Sequence, residues 1–442
     1  MRYDPAQAPR LVAWETTRAC DLACVHCRAV AQPQPDPRQL STEEAFRLVD
    51  DVAAFQEPAI LILTGGDPLK REDIFDVAAR ASRAGLRVVM SPSGTQVTPG
   101  TVRRLKEVGV QRISVSLDGS SAELHDSFRQ VPGAFAEATR SLAYAREEGL
   151  PFQINTTVTR HNRHDLINML RLAVELQAVT WDVFMLVPTG RGKVQMEVTP
   201  EEYEETLHFV YEVSQRAPIQ VKMTCAPHYK RVQIQERKQR APQAGTGAAA
   251  RAHPARGFSR GCMAGFGFCF VSHIGEVGGC GYLPLLAGSV RQASLVEVYR
   301  QSPLFKSIRD PNLLQGRCGI CEYRVLCGGC RARALGATGN YLEEEPFCTY
   351  QPNPRTAREL VNVLEAIGMV EQHVAALEFE MKYDPLGLSQ ELLQIQIELK
   401  DKTLTDPQML VPTLEKIAHG SRFLHLAQTR AQEIIDQVQP AQ

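Results

Sequence analysis

Cys20, Cys24 and Cys27 lie within eight residues of the stretch TRACDLACVHCRA (17–29), in the order C-x3-C-x2-C. Three thiols are an odd number for disulfides and one short of tetrahedral zinc. Thiolate is a soft ligand that selects zinc, copper(I) or iron–sulfur clusters. On a four-iron cubane, three protein thiolates leave one iron open, able to chelate a small ligand through nitrogen and oxygen. The chain holds twelve cysteines, and they cluster: three at 20–27, one at 225, three at 262–280 and five at 318–348. Such clustering points to metal or iron–sulfur ligation rather than scattered buried thiols. The later ones run Cys262-x6-Cys269-x10-Cys280, then Cys318-x2-Cys321-x5-Cys327-x2-Cys330, then Cys348. Eight thiolates suffice for two four-ligand sites. For the CGICEYRVLC portion, a zinc ribbon is the competing reading, because C-x2-C pairs serve zinc equally well.

These residues need a scaffold. At 442 residues the chain exceeds one ordinary core and suggests two or three domains. Hydrophobic content of 44%, 22% charged residues and a formal charge of −1 describe a soluble globular protein, with no nucleic acid or anionic membrane indicated as partner. There is no apolar run of ~18 residues, and MRYDPAQAPR lacks the apolar core of a signal peptide. The expected location is therefore cytoplasmic, where thiols stay reduced. Short apolar runs at 11–15, 59–64, 86–90, 112–117, 152–158 and 181–187 read as buried parallel strands. Amphipathic segments at 41–55, 71–84, 101–108, 133–148 and 165–177 alternate with them, the first opened by a capping box of Ser41 and Glu44. Six β/α units imply an α/β fold, a partial (β/α)6 TIM-type barrel whose chemistry collects at the C-terminal ends of the strands. The cysteine loop follows strand one, on that face. TGGDP (64–68) follows strand two, SPSGT (91–95) strand three and SLDGS (116–120) strand four.

The expected division is a barrel over 1–200, a connecting segment over 201–261, a cysteine-rich auxiliary domain over 262–352 and a helical C-terminal extension over 353–442. Within the second part, 199–223 reads as a helix and a short strand. The basic, Ala/Gly-rich stretch 229–261 has no clear periodicity and reads as a surface loop. VSHIGEVGGCGYLP has the look of a hairpin. The last part reads as three or four amphipathic helices without a chemical constellation, its His373, His419 and His425 being ordinary surface or core histidines.

The C-x3-C-x2-C loop after a first strand resembles the signature of the radical SAM enzymes. The resemblance implies that Cys20, Cys24 and Cys27 hold a [4Fe–4S] cluster whose open iron binds S-adenosylmethionine (SAM), with reductive cleavage giving a 5′-deoxyadenosyl radical. It implies further that Gly65, Gly66, Asp67 and Pro68 contact the SAM amino group, Asp67 standing where the family often has Glu. Ser93, Ser116 and Asp118 become candidates for the ribose or carboxylate, Asn155 and Thr157 likewise, and His26 for an aromatic neighbour of adenine. The downstream cysteines resemble a SPASM domain with auxiliary [4Fe–4S] clusters. Carried over, Cys318, Cys321, Cys327 and Cys348 would bind one cluster and Cys262, Cys269, Cys280 and Cys330 the other, although Cys330 follows after x2 where the family has x3.

The segments WETTRACDLACVHCRA, LTGGDPLKR, LVPTGRG, TCAPHYKR and CGICEYRVLCGGCRARA are similar to the haem-biosynthesis branch of SPASM-type enzymes. That resemblance implies a tetrapyrrole substrate, propionate processing or decarboxylation, and a reductant such as ferredoxin or flavodoxin. Propionates want guanidinium partners, for which Arg28, Arg191, Arg331 and Arg333 are candidates; a haem iron wants an axial imidazole, for which His228 and His26 are. The alternative is a maturase acting on a ribosomally made peptide; such enzymes usually carry an N-terminal peptide-recognition domain, and the ten residues before strand one weigh against that reading. A cluster-carrying electron-transfer protein is a third reading, disfavoured by the GGDP turn. Cys225 stays open as ligand, hydrogen donor or buried filler.

Overall fold

In the computed structural model, residues 3–55, 59–240 and 260–353 are described. The C-terminal helices expected beyond 353 and most of the basic stretch lie outside them. Among the described residues one compact unit runs to Leu314 and resumes over Leu326–Thr349; a second takes in Gln315–Val325 and continues from Tyr350.

Six parallel strands form where the apolar runs lie: β1 (Leu11–Thr17), β2 (Ile60–Gly65), β3 (Arg87–Met90), β4 (Val110–Ser116), β5 (Phe152–Val158) and β6 (Thr180–Met185). A seventh, β7 (Gln220–Thr224), continues the parallel order at one edge. Between them run α1 (Thr42–Ala53), α2 (Ile74–Arg83), α3 (Pro99–Glu107), α4 (Ala122–Arg129), α5 (Ala134–Glu147), α6 (Leu166–Glu175) and α7 (Pro200–Arg216). The Ser41/Glu44 capping box opens α1, and Ala45, Leu48, Val49 and Val52 form its buried stripe. The β/α barrel expected from the alternation is thus present. α4 was not expected, and neither was α8 (Tyr229–Arg240), which takes the first twelve residues of the basic stretch read as loop. α8 is charge-rich on most sides, which hides its period; Tyr229, Arg231 and Val232 nonetheless pack inward.

The hairpin expected in VSHIGEVGGCGYLP begins three residues earlier, as β8 (Phe268–Val271) with β9 (Glu276–Gly278), and β10 (Leu286–Ser289) pairs with β9. Its placement is the unforeseen part. β8 pairs parallel to β1, so the cysteine-rich region extends the barrel's own sheet to ten strands, in the order β10-β9-β8-β1-β2-β3-β4-β5-β6-β7. α9 (Leu295–Gln301) and α10 (Pro303–Arg309) follow.

The sheet has two unlike faces. Val12, Trp14, Leu61, Leu63, Val88, Ile113, Val115, Ile154 and Val183 are buried in one continuous core with the helices. Because side chains alternate along a strand, the residues between them face the other way. That inner face is polar: Glu15 beside Thr64 on β1 and β2, Ser116 beside Asn155, Asn155 beside Asp182, and Asp182 beside Lys222.

Candidate cofactor site at the mouth of the barrel

The cysteine loop leaves β1 and is fixed by backbone contacts that only glycine allows. Gly66 N donates to Thr17 O at 2.8 Å and Asp67 N to Ala19 O at 2.7 Å. A Cβ on Gly65 would stand 2.3 Å from Thr17 O, and one on Gly66 2.4 Å from Ala19 O. The GGDP glycines therefore permit the second βα turn to lie against the first. Gly190 serves in the same way from the far side: at φ 64° its Cβ would sit 2.5 Å from the carbonyls of Cys27 and Arg28. Arg191 completes the clamp, its N donating to Cys27 O at 3.0 Å, Nε to Cys24 O at 2.9 Å and Nη1 to Ala31 O at 2.9 Å.

Each of the three sulfurs accepts one N–H. Leu22 N lies 3.4 Å from Cys20 Sγ, Ala31 N 3.4 Å from Cys27 Sγ, and Arg129 Nη1 3.3 Å from Cys24 Sγ. Such donors stabilise thiolate sulfur. Burial, opposed by the Leu22 hydrogen bond and reinforced by Asp67 and the two neighbouring thiols, pushes the Cys20 thiol up to about 12. A buried thiol of this kind ionises when it coordinates a metal. Around a single zinc the sulfurs would converge to roughly 3.8 Å of one another. Among the described residues no three His, Cys, Asp or Glu side chains converge around one metal ion. A cubane asks instead for one thiolate at each of three corner irons, with wider spacing. The donor set and the one-donor-per-sulfur pattern fit that group, which Cys20, Cys24 and Cys27 would hold.

The residues expected around SAM fall in two groups. Asp67 is fully buried and its carboxylate is engaged: Oδ1 accepts from Leu69 N at 3.0 Å and Oδ2 from the Ser93 hydroxyl. Ser93 also shares a hydrogen bond with Thr95 at 2.9 Å, so the turns after β2 and β3 form one unit, with Pro68 opening a 3-10 turn behind Asp67. Asp118, also fully buried, accepts from Thr157 N at 2.6 Å and pairs with Arg129 Nη2. Asp118 and Thr157 thus meet through a backbone bond. Asn155 accepts from Gln153 at 2.7 Å, and Ser116 lies opposite it in the register. His26 leans on Phe128, ring centroids 4.4 Å apart, with Nε2 4.0 Å from Asp118 Oδ2. Burial, then the Arg129 charge, pushes its pKa well down.

Arg129 was missed from sequence. It is buried and touches both Cys24 and Asp118 from the last turn of α4. The available signal was SxxELHDSFR itself, a capped amphipathic turn directly after the strand-four loop, ending in an arginine.

The four arginines considered for substrate are committed inside the protein. Arg28 pairs with Glu15 at 2.9 Å and lies 4.6 Å from the Phe270 ring centroid. Glu15 in turn meets His273 Nδ1 at 2.8 Å, whose Nε2 stands 3.1 Å from Asp36. Burial would raise the Glu15 carboxyl, but His273, Arg28 and Arg18 together hold it at about 2. This network ties β1 to the β8–β9 hairpin. Arg191 is the loop clamp. Arg331 donates to the carbonyls of Tyr341 (2.8 Å) and Glu343 (2.7 Å), and Arg333 to those of Cys225 (2.9 Å) and Leu186 (2.8 Å). His228 is buried against Tyr203, centroids 4.6 Å apart, and neither ring nitrogen is hydrogen-bonded among the described residues.

Of the downstream cysteines, Cys280 and Cys330 share one small apolar cluster, joined by Cys225. Cys262 influences all three. Cys269 lies in the main core under the helices instead. Cys327 and Cys348 both influence the buried Arg231 in the first compact unit, whereas Cys318 and Cys321 belong to the second, where Tyr323 N donates to Cys321 Sγ at 3.4 Å.

A parallel β/α barrel with a three-cysteine first loop and a glycine clamp defines a class. The radical SAM superfamily model matches residues 14–173, from β1 into α6. The chain belongs to the radical SAM superfamily: it is an enzyme of radical chemistry that uses a [4Fe–4S] cluster and SAM. Within it, the chain is 48% identical over 348 residues to the AdoMet-dependent heme synthase of Methanosarcina barkeri, covering 79% of this chain and 98% of that protein. It is 45% identical to the protein of the same name from Oleidesulfovibrio alaskensis, covering 80% and 91%. In fold it is similar to Streptococcus suis SuiB bound to its precursor peptide SuiA, with TM-score 0.60 at 15% identity over 78% of this chain and 76% of that one.

Proposed function

We propose that the substrate is an iron-bound tetrapyrrole and that the reaction is oxidative decarboxylation of its propionate side chains to vinyl groups. The observation that carries this reading is the 48% identity spread over 98% of a haem synthase. A match of that extent includes the strand ends and loops that face the barrel interior, where substrate choice is made. The inner wall supports it. Asp182 accepts from Thr224 at 2.8 Å and Lys222 at 3.0 Å, and Gln153 reaches it at 3.3 Å. Lys222 keeps 44% of its side chain exposed, so its ammonium is a cation on that wall with surface left for a carboxylate. With the four arginines committed elsewhere, the polar wall takes over the part expected of them.

When bound, the cluster and SAM supply a primary carbon radical able to take hydrogen from an unactivated carbon. The protein's part is to aim one C–H and exclude water. Loss of a hydrogen atom from the β-carbon, then of CO2, leaves a vinyl group and one electron. That electron is the stoichiometric reason for a second redox centre in the chain, and a one-electron donor such as ferredoxin or flavodoxin would start each turnover.

The test is anaerobic incubation of reduced, reconstituted enzyme with SAM and iron-coproporphyrin III. The expected product is lighter by about 46 mass units for each propionate processed, the weight of CO2 and two hydrogens, with 5′-deoxyadenosine formed in step. Deoxyadenosine without any change in porphyrin mass contradicts the reading and returns a precursor peptide to consideration as substrate.

A further inference from the structure

Cys225 closes β7 in a left-handed conformation, φ 58°. Such a conformation is strained for a non-glycine residue and persists only where the surroundings impose it. Here they do. Its carbonyl accepts from Tyr203 Oη at 2.9 Å and from Arg333 Nη1 at 2.9 Å, both from buried side chains. The turn aims the thiol into the apolar cluster that holds Cys280 and Cys330, lined by Val187, Leu283 and Tyr282. Cys262 is held by its N–H, which donates to Cys327 O at 2.9 Å. Cys330 enters with its N–H on Glu345 Oε2 at 2.6 Å. Cys225, Cys280 and Cys330, from three separated stretches of chain, thus share one apolar cluster, and Cys262 bears electrostatically on all three.

Cys269 is on the other side of the sheet. It lies opposite Val12 in the β8–β1 register, on the face covered by helices, fully buried in the main core. Its charged neighbour is Arg309, and its aromatic neighbour Tyr299 of α9. Its strand neighbours Phe268 and Phe270 take the inner face. A one-residue register shift would be needed to turn it round, and that would move every side chain of β8 to the wrong face.

A buried cluster held by four thiolates is anionic and needs buried cations. Arg333 is fully buried beside Cys225 and Cys330, and Arg260 is buried beside Cys262. No comparable pair of cations surrounds Cys269 among the described residues.

We propose that Cys225, Cys262, Cys280 and Cys330 are the four ligands of an auxiliary [4Fe–4S] cluster, and that Cys269 is a core residue without a metal role. This rests on the reading of a second redox centre, but its readout is iron and spectroscopy rather than product, so failure of the decarboxylase reading is seen separately in the porphyrin mass.

The experiment uses the full chain carrying Cys20→Ala, Cys24→Ala and Cys27→Ala, so that all remaining iron is auxiliary. After anaerobic reconstitution, adding Cys225→Ala is expected to remove about four irons per chain and the corresponding EPR signal of the dithionite-reduced protein. Adding Cys269→Ala is expected to leave the iron count unchanged. Iron lost in Cys269→Ala and kept in Cys225→Ala overturns the proposal, as does iron kept in both. Should Cys225→Ala fail to fold by circular dichroism, Cys225→Ser decides: an oxygen ligand is expected to retain iron with altered g values, and an unaltered spectrum overturns the assignment.

Discussion

The Arg129 guanidinium places Nη1 3.3 Å from Cys24 Sγ while its Nη2 pairs with the buried carboxylate of Asp118. One side chain thereby links the Cys24 thiol to the carboxylate that also receives Thr157 N from β5. Its positive charge lies where thiolates would bring negative charge, in a buried setting where charges interact more strongly than in water.

Replacing Arg129 by Met keeps much of its length and removes both functions. Asp118 is left buried and uncompensated, which costs about 3–5 kcal/mol. The expected outcome is a lower thermal midpoint together with loss of the iron held by the N-terminal loop. Calorimetry and iron quantitation check it, with Arg129→Lys, which retains the charge but not the fork, falling between the two.

Gly66→Ala tests the backbone clamp. The added methyl meets Ala19 O at 2.4 Å and Arg18 O at 2.7 Å, neither of which can move without shifting the loop that carries Cys20. The fold's core is untouched, so the far-ultraviolet spectrum should be that of the native chain. Iron retention at the N-terminal site and SAM binding should both fall. Full retention of both would show the loop to be more compliant than the contacts imply.

Ser93→Ala releases the turn after β3 from Asp67. A hydrogen bond of this kind is worth about 0.5–1.5 kcal/mol. SAM affinity is therefore expected to weaken about three- to tenfold, with iron content unchanged. Titration of the reduced protein with SAM, followed by EPR, separates the two quantities.

Glu197 gives a pH signature. Burial, only partly offset by Arg333 3.7 Å away and reinforced by Glu345, raises its carboxyl to about 7. A group raised in the folded state is neutral and uncostly below its unfolded pKa, near 4.5, and its stabilisation is lost as pH rises through the folded value. Wild-type stability should therefore decline from pH 5 to 8 by up to about 3 kcal/mol from this group. Glu197→Gln should flatten that slope, as measured by thermal unfolding across the range.

Much of the barrel was legible because its signals are local. The apolar runs and the Ser41/Glu44 box each occupy a few residues, and the βα alternation follows from them. What escaped was long-range. The pairing of Phe268–Val271 with Leu11–Trp14 joins segments far apart in the chain, and no local pattern announces it. The same pairing decides which way Cys269 faces: the family resemblance put it among the ligands, whereas the register puts it under the helices. Cys225 stands by itself in sequence, and its company exists only once β7 lies beside β6 and the later cysteines fold back. α8 was hidden by its run of basic residues, and Arg129 by the short helix that carries it. The arginines were recognisable as placed near the motifs, but not as donors to backbone carbonyls, because that role is set by tertiary geometry and not by residue type.

The central claim, that the radical formed at Cys20, Cys24 and Cys27 acts on a propionate of an iron porphyrin, is tested most directly with iron-coproporphyrin III deuterated at the propionate β-carbons. Single-turnover reaction followed by mass spectrometry of the nucleoside should give 5′-deoxyadenosine carrying one deuterium, alongside a porphyrin with a vinyl group in place of a propionate. Deoxyadenosine free of deuterium, formed while the porphyrin is left intact, would contradict it.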